Sequence, residues 1–333
     1  MDNNVSSSLA QACAAAGHSA LTPTERAQKI ILECLCLQQE ETLLVVTDET
    51  THEVGKLFYD AAREIGCLAL LLCMPETTVS GQEPPATVAA AMRAADVALC
   101  PTAQSITHTN ARIDAAAAGT RVITMPGVTM DMMRSGATCA DYREVEALTK
   151  VLTDLLTRAS TARIEKNGHT LTMNIEGRHG VASPGVYRNP GASGNFPSGE
   201  AYIAPIETDA HGSTAIDGSM VGIGALATPL IATLENGILT SLDGDRSDEV
   251  DILFARPENG TIAELGIGTN KAAKLCGIIL EDEKLYGTVH IAFGTNTSFG
   301  GVTKADCHYD GIIVRPTLYL DDICIIRDGE FLI

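Results

Sequence analysis

The stretch Thr42-Leu43-Leu44-Val45-Val46-Thr47 decides the fold. It is short, apolar and β-branched with polar ends, the signature of a buried strand. Residues 51–65 follow with helical spacing and stop at Gly66. Residues 67–73 form a second buried strand halted by Pro75, and a loop rich in Pro, Gly and Ser runs on to Pro85. The alternation continues through a helix at 87–95, a strand at 97–100, a helix at 106–118 ended by Gly119, and a strand at 122–125 ended by Pro126. Strand and helix in turn imply a parallel sheet flanked by helices. Residues 1–160 are therefore read as an N-terminal α/β domain, closed by a helix over 141–159.

Past residue 160 the pattern changes. Residues 163–176 are strand-like around Asn167-Gly168, a hairpin dipeptide. Residues 178–199 form a long loop dense in Gly, Pro and Ser, and such a loop inside a compact domain is more often functional than not. From Ala201 onward short β segments alternate with turns such as Glu235-Asn236-Gly237 and Arg327-Asp328-Gly329, with one helix near 271–275. The expected class is α/β, with a β-rich α+β C-terminal domain over 161–333.

Composition narrows the function classes. Hydrophobic residues make up 45% and charged residues 20% of the 333, so the chain buries a real core. No apolar run reaches the roughly 18 residues a membrane span needs; the stretch 30–37 is broken by Glu33. Met1-Asp2-Asn3-Asn4 has no basic region and the Ala-rich stretch behind it no apolar core, so no signal peptide is expected. Ten cysteines without a CxxC pair read as reduced thiols, which makes the cytoplasm the expected location. The net charge of −19 and the lack of any basic run argue against nucleic acid as a partner. An acidic field favours cationic metals.

The chemistry concentrates in the second half. In Asp306-Cys307-His308-Tyr309-Asp310-Gly311, alternate strand positions share a face. His308 and Asp310 then point the same way, roughly 6.5–7 Å apart at Cα, and can converge on one ion. In Thr288-Val289-His290-Ile291-Ala292-Phe293-Gly294 the bulky apolar residues take one face, and His290 lies on the other among small neighbours. Two histidines and a carboxylate suit a mononuclear iron site or half of a binuclear one. Glu200 and Glu264 stand at element ends beside glycines, and a carboxylate between apolar residues is costly to bury unless paired or metal-bound. Gly222-Ile-Gly-Ala-Leu-Ala227 fits a dinucleotide fingerprint, but Thr228-Pro229 follows where a helix is required. There is no G-x-S-x-G elbow, and Cys307 and His308 face opposite ways.

The segments 195–205, 264–270, 288–296 and 308–314, in that order, resemble the M29 family of metal-dependent aminopeptidases. They also resemble its relatives, the 2,5-dihydroxypyridine 5,6-dioxygenases. Thr107-His108-Thr109-Asn110-Ala111-Arg112 extends the likeness loosely into the first half. The peptidase resemblance implies Glu200, Glu264, His290, His308 and Asp310 as ligands of a metal pair, with Glu200 and Glu264 as catalytic carboxylates. One position departs: the peptidases place a tyrosine ligand seven residues after the first histidine, where this chain has Thr297. His108 and Thr297 are then candidate substrate contacts.

The five-ligand pattern points first to an aminopeptidase: Zn, Co or Mn, one or two ions, activating a water to release N-terminal residues from small peptides. Thr297 and the short chain point to the alternative, a mononuclear Fe(II) dioxygenase cleaving a small hydroxylated heteroaromatic ring. A third reading is a metal-free relative that binds a peptide or partner chain. The expected partners are a small peptide or a small aromatic substrate, with no nucleic acid and no membrane. A homodimer is implied because the related enzymes associate that way.

Overall fold

The computed structural model describes residues 21–333. The expectation of an N-terminus without a signal peptide falls on residues outside these. The chain divides into two compact units: the described residues up to Ala140 with Tyr187–Gly194, and Asp141–Val186 with Asn195–Ile333. Among the described residues no helix is long and apolar enough to cross a membrane.

The first unit is built on β1 (Thr42–Thr47), β2 (Leu68–Cys73), β3 (Val97–Thr102) and β4 (Arg121–Pro126). β1 pairs in parallel with β2 and β3, and β3 with β4. Leu44, Val46, Ala98, Cys100 and Val122 pack with Val88 and Met92 of helix Ala86–Ala94 and with Ala115 of helix Asn110–Ala117. Leu43, Val45, Leu99 and Ile123, on the opposite face, are equally buried. Burial on both faces is why these strands read as continuous apolar runs instead of alternating ones. β2 is the edge strand, and its Leu68 and Leu70 are 57% and 55% exposed. The helix expected over 106–118 starts only at Asn110, because the Thr109 hydroxyl accepts from the Arg112 N–H and caps it.

Helix Tyr142–Arg158 opens the second unit, capped by Asp141, and sends Leu152 and Leu156 into that unit's core. The expected 1–160 domain places it in the first half instead. Two antiparallel sheets follow. One has eight strands, including the hairpin β5 (Thr161–Lys166) and β6 (His169–Asn174), whose turn holds Asn167 and Gly168 at positive φ. The other has seven, centred on β9 (Glu200–Ile203), β15 (Ile262–Gly268), β16 (Val289–Gly294) and β17 (His308–Ile313). Ile164, Leu171 and Met173 from the first sheet meet Ile203, Leu265, Ile291 and Phe293 from the second in one apolar core. No helix forms at 271–275: the Asn270 side chain accepts from the N–H groups of Ala272 and Ala273, closing a turn, and the helix comes later, at Ile279–Asp282. The loop 178–199 contains two short strands, Val181–Ser183 and Ser193–Asn195.

The connection from β16 to β17 is held by buried Glu207. Its carboxylate accepts from Asn296 Nδ2 (2.9 Å), the Val302 N–H (2.7 Å) and Arg178 Nη2 (2.5 Å). Asn296 returns a bond by accepting from the Thr303 N–H, and Arg178 donates onward to the Gly300 carbonyl. Burial alone would raise the Glu207 pKa, but these donors and the Arg178 charge hold it below the usual carboxylate value. A depressed folded pKa gives stability that is full above the unfolded value of about 4.3 and lost as pH falls through the folded one. Glu207→Gln should therefore cost about 1.5–3 kcal/mol at pH 7. In urea unfolding the gap to the unaltered protein should narrow at pH 3–4, and an equal gap at both pH values would refute this anchor.

Candidate metal centre

The seven-stranded sheet presents two chemically opposite faces. Alternation along β9, β15, β16 and β17 sends Ala201, Ile203, Leu265, Ile267, Val289, Ile291, Phe293 and Ile313 into the core. The other face carries Glu200, Glu264, His290, His308 and Asp310. The strand register brings them together: Gly268 lies opposite Glu200, Gly266 opposite His290, Ala292 between Glu264 and Asp310, and Gly294 opposite His308. Small residues at the intervening places leave room for the side chains. A Cβ built on Gly266 would stand 2.0 Å from His290 Nε2, so the imidazole lies where any larger residue would sit.

Distances within the cluster are uniform. His290 Nε2 is 3.3 Å from Glu264 Oε1 and 3.6 Å from Glu200 Oε2. His308 Nε2 is 3.5 Å from Glu264 Oε2 and 3.5 Å from Asp310 Oδ1. Charge-assisted hydrogen bonds are shorter, about 2.7–2.9 Å. A divalent ion with ligands ~2.0–2.2 Å away instead sets neighbouring donor atoms roughly 3.0–3.6 Å apart. Among the described residues three trios have ligand atoms within 4.8 Å of one another: Glu200, Glu264 and His290; Glu264, His308 and Asp310; Glu283, His290 and Asp310. None of the three contains both imidazoles. His308 Nδ1 bonds the Thr295 carbonyl at 2.8 Å, which fixes its proton there and frees Nε2 as a ligand. His290 Nδ1 is buried without a hydrogen-bond partner. These donors fit a divalent metal.

Electrostatics describe the same cluster without an ion. Burial pulls the His290 pKa down, but the bond to Glu264 and the Glu200 charge outweigh it and lift it to about 9. Burial is likewise overcome at His308, where Asp310 and Glu264 hold the pKa well above the ordinary value. Glu264, despite burial, is drawn down to about 2 by hydrogen bonds from both imidazoles. A divalent ion would replace those protons as the compensating charge.

Two residues of this cluster escaped the sequence reading. Lys284 Nζ, with no exposure at all, donates to Glu200 Oε1 at 2.6 Å and to Glu283. Burial and the nearby Glu200 and Asp310 charges push the Glu283 pKa up to about 8, against the opposing pull of Lys284. Asn270 fixes their position. Its Nδ2 donates to the Ser198 carbonyl and its N–H to the Lys284 carbonyl, while the Thr269 N–H bonds the Gly199 carbonyl. Glu-Asp-Glu-Lys at 281–284 reads as a solvated turn, and only its neighbours reveal the burial.

Of the two expected substrate contacts, Thr297 is exposed on the 3-10 turn Thr297–Phe299, and His108 is exposed in the first unit, just ahead of helix Asn110–Ala117. The same turn carries Phe299, which meets Tyr202 edge-on at 5.3 Å and His308 edge-on at 6.1 Å. Gly266→Ala must displace the His290 ring and should weaken Mn(II) binding about 10–100-fold, the range typical of lost ligand orientation. Unchanged affinity in a calorimetric titration would show that His290 takes no part.

The chain matches the family model of NicX, 2,5-dihydroxypyridine 5,6-dioxygenase, over residues 26–333. A curated relative, the 2,5-dihydroxypyridine 5,6-dioxygenase of Pseudomonas putida KT2440, is 26% identical over 171 residues, 45% of this chain. The match spans 47% of that protein, about half its length. The solved structure of 2,5-dihydroxypyridine dioxygenase from Pseudomonas putida KT2440 superposes with a TM-score of 0.76 at 18% identity, covering 94% of this chain and 98% of that one. Wild-type AmpT from Thermus thermophilus gives 0.68 at 14% identity, covering 93% and 99%. These likenesses show the fold, a mixed α/β chain with one parallel and two antiparallel sheets. The expectation of a metal-dependent hydrolase acting as an aminopeptidase is overturned by the family match. Its physical source is plain: imidazoles and carboxylates around an ion serve hydrolysis and oxygenation alike, so a ligand pattern cannot choose between them. The chain belongs to the NicX family of 2,5-dihydroxypyridine 5,6-dioxygenases.

Proposed function

We propose that this protein is an Fe(II)-dependent dioxygenase that opens a small hydroxylated heteroaromatic ring of the dihydroxypyridine class. The observation that carries it is the meeting of His290, His308, Asp310 and Glu264 on one buried sheet face, in a chain of this family. His290, His308 and Asp310 would hold the metal, a two-histidine, one-carboxylate set that leaves positions open. This assignment requires the two rings to come to one ion on loading. The iron supplies the redox chemistry that lets O2 react with the ring.

The remaining work belongs to side chains. Glu264, with one oxygen toward each imidazole, orients both rings. Thr295 keeps the His308 proton on Nδ1. Phe299 and Tyr202, both half-buried, offer an edge-to-face aromatic pair beside His308 against which a planar ring can pack. Glu200, fixed by Lys284 on one oxygen, keeps the other toward His290. The role assigned to it here is to accept a proton from a substrate hydroxyl.

Both oxygen atoms of O2 end in the ring-opened product, so oxygen uptake should equal ring loss one to one. Protein loaded anaerobically with Fe(II) and mixed with 2,5-dihydroxypyridine should consume oxygen in that ratio. His308→Ala should lower turnover at least about 100-fold, as loss of a metal ligand does. Ring loss without oxygen uptake, or no turnover by iron-loaded protein across hydroxylated pyridines, would overturn the proposal.

A further inference from the structure

Buried lysines are expensive, and this one is placed with care. Lys284 Nζ is fully enclosed, 2.6 Å from Glu200 Oε1 and bonded also to Glu283. Each of the three candidate metal trios can be checked against it. The trio of Glu200, Glu264 and His290 contains a carboxylate already held by the ammonium. The trio of Glu283, His290 and Asp310 contains the other. Of the three only Glu264, His308 and Asp310 are free of Lys284, and the set proposed to hold the iron, His290, His308 and Asp310, likewise includes neither carboxylate that Lys284 holds.

We propose that Lys284 is a positioning residue that limits the centre to one ion, its ammonium standing as a fixed cation where a second divalent metal would otherwise bind. The reasons are charge and space. Glu200, Glu264, Glu283 and Asp310 put four carboxylates on a face removed from water. Buried carboxylates need a partner cation, and removing one member of such a pairing leaves an uncompensated charge. Two of the four face Lys284, and a dication beside Glu200 and Glu283 would meet a like charge at contact range. The lysine cannot swing aside. Its carbonyl accepts from the Asn270 N–H, its own N–H donates to the Glu281 carbonyl, and its side chain is fully enclosed.

The proposal rests on the metal-centre reading above, and Mn(II) binding tests it apart from turnover. The unaltered protein, saturated with Mn(II), should hold one ion per chain by elemental analysis and show the spectrum of an isolated ion in electron paramagnetic resonance. Lys284→Met keeps the unbranched shape of the side chain, one atom shorter, and removes the charge. It should raise the count from one to two per chain, with an exchange-coupled signal. Two ions in the unaltered protein, or one ion with unchanged affinity in folded Lys284→Met, would overturn the role of Lys284 while leaving iron-dependent turnover standing. No ion in the unaltered protein would overturn it together with the metal centre. The ion count of the unaltered protein remains decisive even if Lys284→Met fails to fold.

Discussion

The second unit is organised by a need to pair opposite charges that are held together out of water. Four carboxylates, a lysine and two imidazoles occupy one face of the seven-stranded sheet, while the opposite face packs into apolar core. Isolated burial of any of these charges is prohibitive, and groups so placed are tolerated only with close counter-charges and hydrogen bonds. Each charged residue accordingly has a neighbour of opposite sign. Glu200 lies between Lys284 and His290, and Glu264 between the two imidazoles. A face this polar cannot join a hydrophobic core, so the sheet is buried on both sides, one against apolar residues and the other among paired charges.

Building such a face places demands on residues that carry no charge. Gly266 and Ala292 lie across from the clustered imidazoles and carboxylates because side chains of ordinary size would fill the space those groups need. Gly199, at φ +130°, lets the chain turn into Glu200 against the Asn270 side chain, where a Cβ would come within 2.8 Å. Glu207 and Asn296 freeze the return from β16 to β17, and with it the ring of Phe299 beside His308. The candidate ligands are thus set by sheet register and their surroundings by loop anchors, which matches the general need for a supporting shell around a metal.

Much of this was legible in the sequence, and for identifiable reasons. Strands β1, β3 and β4 of the first unit announce themselves because burial on two faces makes them uniformly apolar. His290 stands out because strand alternation separates it from Val289, Ile291 and Phe293, and His308 and Asp310 because alternate positions put both on one face. What the sequence hid depends on distant pairing. Nothing in Glu-Asp-Glu-Lys marks Lys284 as enclosed, since its burial comes from Asn270 and Glu200, which approach from other parts of the chain. The turn at 271–275 misled because Asn270 spends its side chain on local N–H groups, a competition with helix that periodicity does not register. Helix Tyr142–Arg158 follows a run of βα units in sequence, yet its apolar face packs with the unit after it.

The aminopeptidase expectation failed at a different level, and the failure is instructive about where chemistry resides. An architecture shared with AmpT at a TM-score of 0.68 coexists with membership of a ring-cleaving oxygenase family. Fold and ligand types are therefore insufficient to specify the reaction. What remains to distinguish such enzymes is local: how many cations a cluster of carboxylates demands, and what flat surface lies beside them. In this chain a lysine already meets part of that demand, and an aromatic pair borders the histidine nearest to solvent. Both features bear on the proposed single ion and the proposed planar substrate. Both come from residues outside the conspicuous histidine and aspartate pattern, where the difference between related reactions is to be sought.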